Sequence, residues 1–336
     1  MRGVFRRFKN KRDLQEMPLV QDSLTSSKFA TSKPLALINQ ILHGPFLKRA
    51  IRRQFPSLSY SMIRVRDSVR WGWRKSDAAL CRRLELFTPY STGPVRTITA
   101  LTVEAAAQTF PLLVDLLEAT GSQTFEGPVP IASFASSPEV QAAALELKLL
   151  FDKHGSDKAS RHDYHHLYAA ILTDRNAALD LLEIGLGTNY SDVVSHMDSF
   201  GTPGASLRAF KEFLPNARIY GADIDRRILF EEPGIKTFFV DQTHPESFDA
   251  LATAVGCKFD VIIDDGLHAP NANIASLIFA CKFLRAGGWF VAEDICPSAL
   301  PIWRLTAELL PKDYRSWIIT AESALLFAVR KLGRDG

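Results

Sequence analysis

From about residue 179 onward the chain alternates between short apolar runs and amphipathic stretches. The runs at 179–184, 218–223, 235–240, 259–263 and 288–292 are each short and apolar, as expected of strands covered on both faces. Helical patterns separate most of them, at 205–214, 245–255, 272–285 and 301–310. Two closing runs, 315–320 and 324–330, are joined by a very short turn. They must pair antiparallel, because a parallel link needs a crossover of about a dozen residues. The pattern predicts the α/β class: an open, doubly wound, Rossmann-like sheet of seven strands with one strand antiparallel.

The first half reads differently. Residues 1–33 are polar, basic and Ser/Thr-rich, and residues 34–91 suggest short helices with many arginines. An amphipathic helix is expected over 102–119, closed by Gly121 and open to a kink at Pro111. Residues 122–137 are rich in Gly, Pro and Ser and form a candidate linker. Ser137 then caps a helix that starts at Pro138 and runs through Leu150. The expected organisation is a basic tail (1–33), a helical auxiliary region (34–136) and the α/β domain (137–336).

The charge distribution sharpens this division. Residues 1–85 hold 19 Lys and Arg against 6 Asp and Glu, and the remainder holds 21 against 31. A basic start on an acidic remainder suits docking on the chain's own acidic part or on a partner subunit of a homo-oligomer. Weak contact with an anionic membrane surface is the alternative, and nucleic acid is disfavoured because no nucleic-acid motif sits there. The basic N-terminus lacks the apolar stretch of a secretory signal, and no run of about 18 apolar residues predicts a membrane span. Cys81, Cys257, Cys281 and Cys296 show no CxxC spacing, which points to a reducing compartment, the cytoplasm.

In doubly wound sheets ligands bind beyond the carboxyl ends of the strands. After the first strand comes Glu183-Ile184-Gly185-Leu186-Gly187, where Gly185 and Gly187 let the backbone turn sharply beside a ligand. The second strand ends in Asp223, a position suited to accepting hydrogen bonds from a ribose diol. The third ends in Asp241-Gln242, which suit an adenine edge, and the fourth in Asp264-Asp265. Together these strand ends indicate an adenosine-containing ligand. NAD is a poorer match, because its three-glycine turn opens a helix directly onto a pyrophosphate. Here a long loop, 188–204, intervenes, and S-adenosylmethionine, which carries no phosphate, suits it better.

The fourth and fifth strands exit into Asp264-Asp265-Gly266-Leu267-His268 and Glu293-Asp294. Neighbouring strands would bring Asp265, Glu293 and Asp294 together, and three clustered carboxylates resist common ionisation. A divalent cation relieves that repulsion. Oxygen donors favour magnesium, with manganese or calcium as alternatives. Asp265 would then help activate an acceptor hydroxyl, and His268 would take its proton. Each piece also has a plainer reading: a strand-end turn with solvated acids, a helix cap, a structural histidine. Upstream, Gly155-Ser156-Asp157-Lys158 and His162-x-Tyr164 read either as a lid over the cofactor, with Lys158 or His162 near its carboxylate, or as a glycine C-cap with a capped helix after it. His162, His165 and His166 are a weaker metal candidate than the carboxylates.

The segments GSDK (155–158), LLEIGLGTN, PGASLRAFKEFLPNARIYGADID, FFVDQT, VIIDDGLH and GGWFVAEDI occur in order over about residues 150–297. In them the chain resembles class I S-adenosylmethionine-dependent methyltransferases of the macrocin and mycinamicin sugar O-methyltransferase type. The resemblance implies magnesium at Asp265, Glu293 and Asp294 and a general base at His268. It also implies a cofactor pocket lined by Glu183, Gly185, Ser206, Asp223, Asp241 and Gln242. The acceptor it implies is a sugar hydroxyl of a small molecule or glycan. Leu267 departs from the family's usual serine, and the first 150 residues share no named resemblance. A cephalosporin-hydroxylase-like enzyme on the same fold and a non-catalytic binding module are the alternative readings.

Overall fold

The computed structural model describes residues 77–119, 127–197 and 201–333. The expected tail, 1–33, and the first part of the auxiliary region lie outside the described residues. The α-helices are α1 Asp77–Arg83, α2 Val95–Ala119, α3 Pro138–His154, α4 His165–Ile171, α5 Ala205–Phe213, α6 Glu246–Val255, α7 Pro270–Phe283 and α8 Leu300–Leu309. The strands are β1 Val129–Pro130, β2 Asp180–Ile184, β3 Arg218–Asp223, β4 Glu231–Glu232, β5 Ile235–Phe239, β6 Phe259–Asp264, β7 Leu284–Ile295, β8 Tyr314–Thr320 and β9 Leu325–Lys331.

All nine strands join one sheet in the order β1-β8-β9-β7-β6-β2-β3-β5-β4. The seven longer strands are those expected, and among them β9 runs antiparallel to both β7 and β8. Two-residue strands at either edge, β1 and β4, complete the sheet; β4 is also antiparallel. Such short edges leave little unpaired backbone for another chain to extend. The strand β7 is twelve residues long where five were expected. It starts at Leu284 because Gly287, at φ 82°, and the shifted register opposite β6 carry the chain through a bulge that pattern reading misses.

Consecutive residues of each central strand face opposite layers. Leu181 packs with Phe151, Leu167, Phe210 and Phe213 from α3, α4 and α5. Leu182 packs with Phe248, Leu251, Leu277 and Trp303 from α6, α7 and α8. Both leucines are completely buried, and each such burial contributes about 1.5–3 kcal/mol. Ser137 Oγ caps α3 by accepting from Val140 N, and Gly155, at φ 81°, ends it.

At the amino end of the sheet, Asp180 of β2 is tied to Arg218 of β3 and to Arg285 of β7. Its carboxylate accepts from Arg218 Nε at 2.6 Å and from Arg285 Nη2 at 2.6 Å. Burial raises its pKa, but these two hydrogen bonds outweigh burial and hold it below the usual carboxylate range.

Helix α2 departs from expectation. It runs unbroken through Pro111 for 25 residues. It is also long and apolar enough to cross a membrane by length and composition alone, although polar residues such as Glu104 and Asp115 interrupt it. Its buried residues are Thr99, Thr102 and Val114, while Leu101, Val103, Leu112 and Leu116 are exposed. It meets α8 through an ion pair between Glu118 and Arg304 at 2.7 Å.

Candidate active site

A cavity of about 920 Å³ opens beyond the carboxyl ends of β2, β3, β6 and β7, where the topology of the sheet predicts a ligand. Its floor is the turn after β2. Gly185 sits at φ 97°, and a Cβ there would collide with the Asp265 carbonyl. Only glycine lets the turn after β2 lie against the exit of β6. Gly187, at φ 72°, makes the same allowance for the side chain of Met197.

Asp223, at the end of β3, is 7% exposed and lines the cavity. Its two oxygens accept from Leu186 N at 2.7 Å and Asp225 N at 2.8 Å. The carboxylate therefore fixes the glycine turn while keeping lone pairs for a ligand; burial raises its pKa. Asp241 and Ser206 also line the cavity. Asp241 accepts from Thr243 N and Oγ1, which shapes its own turn.

Three further residues expected near the cofactor serve mainly to build the walls. Gln242 donates to Asp264 Oδ1 at 2.7 Å and accepts from Leu267 N at 2.9 Å, locking the β6 exit against the β5 exit. Asp264 is fully buried and also accepts from Asn273 Nδ2. It does not line the cavity, nor does Glu183, which accepts from Ser206 Oγ at 2.6 Å. Burial pushes both acids up.

The strands β6 and β7 are adjacent and parallel, with Asp264 opposite Ala292. Asp265 and Asp294 therefore meet. Donor atoms of Asp265, His268 and Asp294 all lie within 4.8 Å of one another, and each residue is half-buried. Asp265 Oδ1 faces His268 Nε2 at 4.0 Å. His268 and Asp294 both have positive φ, 55° and 52°, a costly conformation outside glycine that concentrates at functional sites. His268 Nδ1 is buried and has no hydrogen-bond partner among the described residues, so the ring presents its Nε2 edge to Asp265.

Glu293 also lines the cavity. It is completely buried and accepts from Lys158 Nζ and from the Tyr168 hydroxyl. Lys158, 2% exposed, also donates to Asp265 Oδ2 at 2.6 Å and lies 3.1 Å from Glu183 Oε1. Burial opposes the Lys158 charge, yet Asp265, Glu293 and Glu183 outweigh it and keep the ammonium protonated. Burial raises Glu293 well above the usual carboxylate range, and the Lys158 ammonium opposes that shift. Asp294 Oδ1 accepts from the Tyr164 hydroxyl at 2.5 Å. His162 Nδ1 meets Ser323 Oγ at 2.9 Å and lies 3.7 Å from Asp294.

Tyr168 and Asp225 were not anticipated at the site, and Tyr164 was anticipated only as part of the His162-x-Tyr164 motif. The two tyrosines stand four residues apart across the start of α4, a spacing that puts both on one helical face. That spacing was the available signal. Asp225, 5% exposed, binds Thr188 Oγ1 at 2.7 Å and pins the loop after the glycine turn.

No family model matches the chain. Curated relatives do. An 8-demethyl-8-α-L-rhamnosyl tetracenomycin-C 2'-O-methyltransferase of Streptomyces olivaceus is 33% identical over 153 residues, 45% of this chain and 38% of its own length. The mycinamicin VI 2''-O-methyltransferase of Micromonospora griseorubida is 38% identical over 129 residues, 38% of this chain and 30% of its own. The chain thus spans less than half the length of the curated relatives it matches. Among solved structures, the MycE methyltransferase of the mycinamycin pathway, in complex with Mg, SAH and mycinamycin VI, aligns at TM-score 0.45 and 26% identity, covering 56% of this chain and 54% of that one. The α/β domain is Rossmann-like in fold and, in sequence, similar to the sugar O-methyltransferases of natural-product pathways.

Proposed function

We propose that this chain is a magnesium-dependent O-methyltransferase that passes the methyl group of S-adenosylmethionine to a sugar hydroxyl on a glycosylated natural product or an envelope polysaccharide. The observation that carries the reading is the convergence of Asp265, Asp294 and His268 within 4.8 Å beside the cavity formed by the glycine turn and Asp223. The curated relatives' names supply the acceptor class.

The residues present fit both groups. Carboxylates gathered beside the cavity suit a hard dication. Asp265 and Asp294 would hold it, with Glu293, which shares Lys158 with Asp265, beside them. Ser206, Asp223 and Asp241 would line the adenosylmethionine site around Gly185 and Gly187. When bound, the dication lowers the pKa of an acceptor hydroxyl and the cofactor supplies an electrophilic methyl.

The chain's own residues do the rest. His268 takes the acceptor proton at Nε2, which requires its own proton to reside on Nδ1. Asp265, beside Nε2, favours the imidazolium that results. Tyr164 orients Asp294 through its hydroxyl, and the walls of the cavity align the acceptor with the methyl group.

Radiolabelled adenosylmethionine, supplied with magnesium and a panel of rhamnosyl, deoxysugar and polysaccharide acceptors, tests the reading. Label should pass to one acceptor class, and Asp265→Asn or His268→Ala should lower turnover by about 10²–10⁴. Full turnover in both variants would rule out the roles given to these residues. Absence of adenosylmethionine binding in calorimetry, with and without magnesium, would rule out methyl transfer itself.

A further inference from the structure

The segment between α3 and α4 turns two sets of side chains in different directions. Lys158, His162 and Tyr164 line the cavity. Asp163, His165 and His166 do not, and they gather into a separate cluster whose donor atoms all lie within 4.8 Å of one another. The two imidazole rings are 4.1 Å apart, centre to centre.

Two features of this cluster lack an internal explanation. His165 is 4% exposed, and its Nδ1 has no hydrogen-bond partner among the described residues. The neighbouring His166 Nδ1 is likewise buried and unpartnered. Buried polar nitrogens without partners are costly, so two in contact call for something to bind them. Asp163, in addition, is held at φ 59°, in the left-handed region.

We propose that Asp163, His165 and His166 form a second cation site, for zinc or a related divalent transition metal, which staples the start of α4. Two imidazoles and one carboxylate suit such a metal, whereas magnesium prefers oxygen ligands. The site does not depend on the methyl-transfer reading. Its consequence reaches the cavity, because the stapled segment also carries Lys158, His162, Tyr164 and Tyr168.

Cobalt(II) titration of the full chain, carrying no histidine tag, tests the proposal through the visible absorption of the bound ion. One equivalent should bind. Affinity should fall by at least about tenfold in His166→Gln and in Asp163→Asn. Asparagine tolerates positive φ, so the second variant keeps the backbone. Asp265→Asn should leave the same cobalt spectrum intact, which separates this site from the carboxylates at the strand ends. Unchanged cobalt affinity in both cluster variants, or no binding at micromolar cobalt, would overturn the proposal.

Discussion

Lys158 is the residue on which the electrostatics of the cavity turn. It stands where a cation is needed among Glu183, Asp265 and Glu293. Lys158→Met should destabilise the fold by about 3–5 kcal/mol in urea denaturation, because it leaves buried carboxylates facing one another. Manganese should then raise the melting temperature of the variant more than that of the parent chain, since a dication can replace the lost charge. Equal shifts in both would show that Lys158 and the ion do not share these ligands. Gly185 carries a steric constraint of similar weight. Gly185→Ala should cost more than about 1 kcal/mol and weaken adenosylmethionine binding, because φ 97° and the Asp265 carbonyl both exclude a Cβ. Calorimetric titration of the folded variant reads the second effect directly.

At the level of elements, the parallel pairing of β6 with β7 makes the site, and the Asp180 clamp holds the opposite ends of the same strands. Asp180→Asn should lower stability by about 1–3 kcal/mol, the lower part of that range reflecting the exposure of Arg218. The sign of the pH effect follows from the depressed pKa of Asp180. Its stabilising contribution is complete above the unfolded value, about pH 3.9, and disappears as pH falls through the lower folded value. The difference between parent and variant in denaturation midpoint should therefore be constant above about pH 5 and shrink in stronger acid. A difference that grew on acidification would contradict this.

At the scale of the whole molecule, two separate cores flank one sheet. Leu181→Ala and Leu182→Ala remove adjacent residues from opposite layers, and each should cost about 2–5 kcal/mol by chemical denaturation. A negligible cost for either would mean that its layer is not packed as described. The layering was legible in the sequence, because short apolar runs such as 261–263, bounded by turn signals, suit strands buried on both faces. The strand ends were legible for the same reason: topology puts Gly185, Asp223, Asp241 and Asp265 at the carboxyl edge whatever their side chains do. Adjacent exits for Asp265 and Asp294 followed too. What the sequence could not determine was the direction of each carboxylate after its strand. Glu293 and Asp294 are neighbours in the chain, yet one accepts from Lys158 and Tyr168 and the other lies beside His268. The same holds for Lys158, which lies 107 residues from Asp265 in the chain and within hydrogen-bond distance of it in space. Periodicity reports which face of a strand is buried; long-range charge pairing depends on how distant segments dock, and only the tertiary structure decides that.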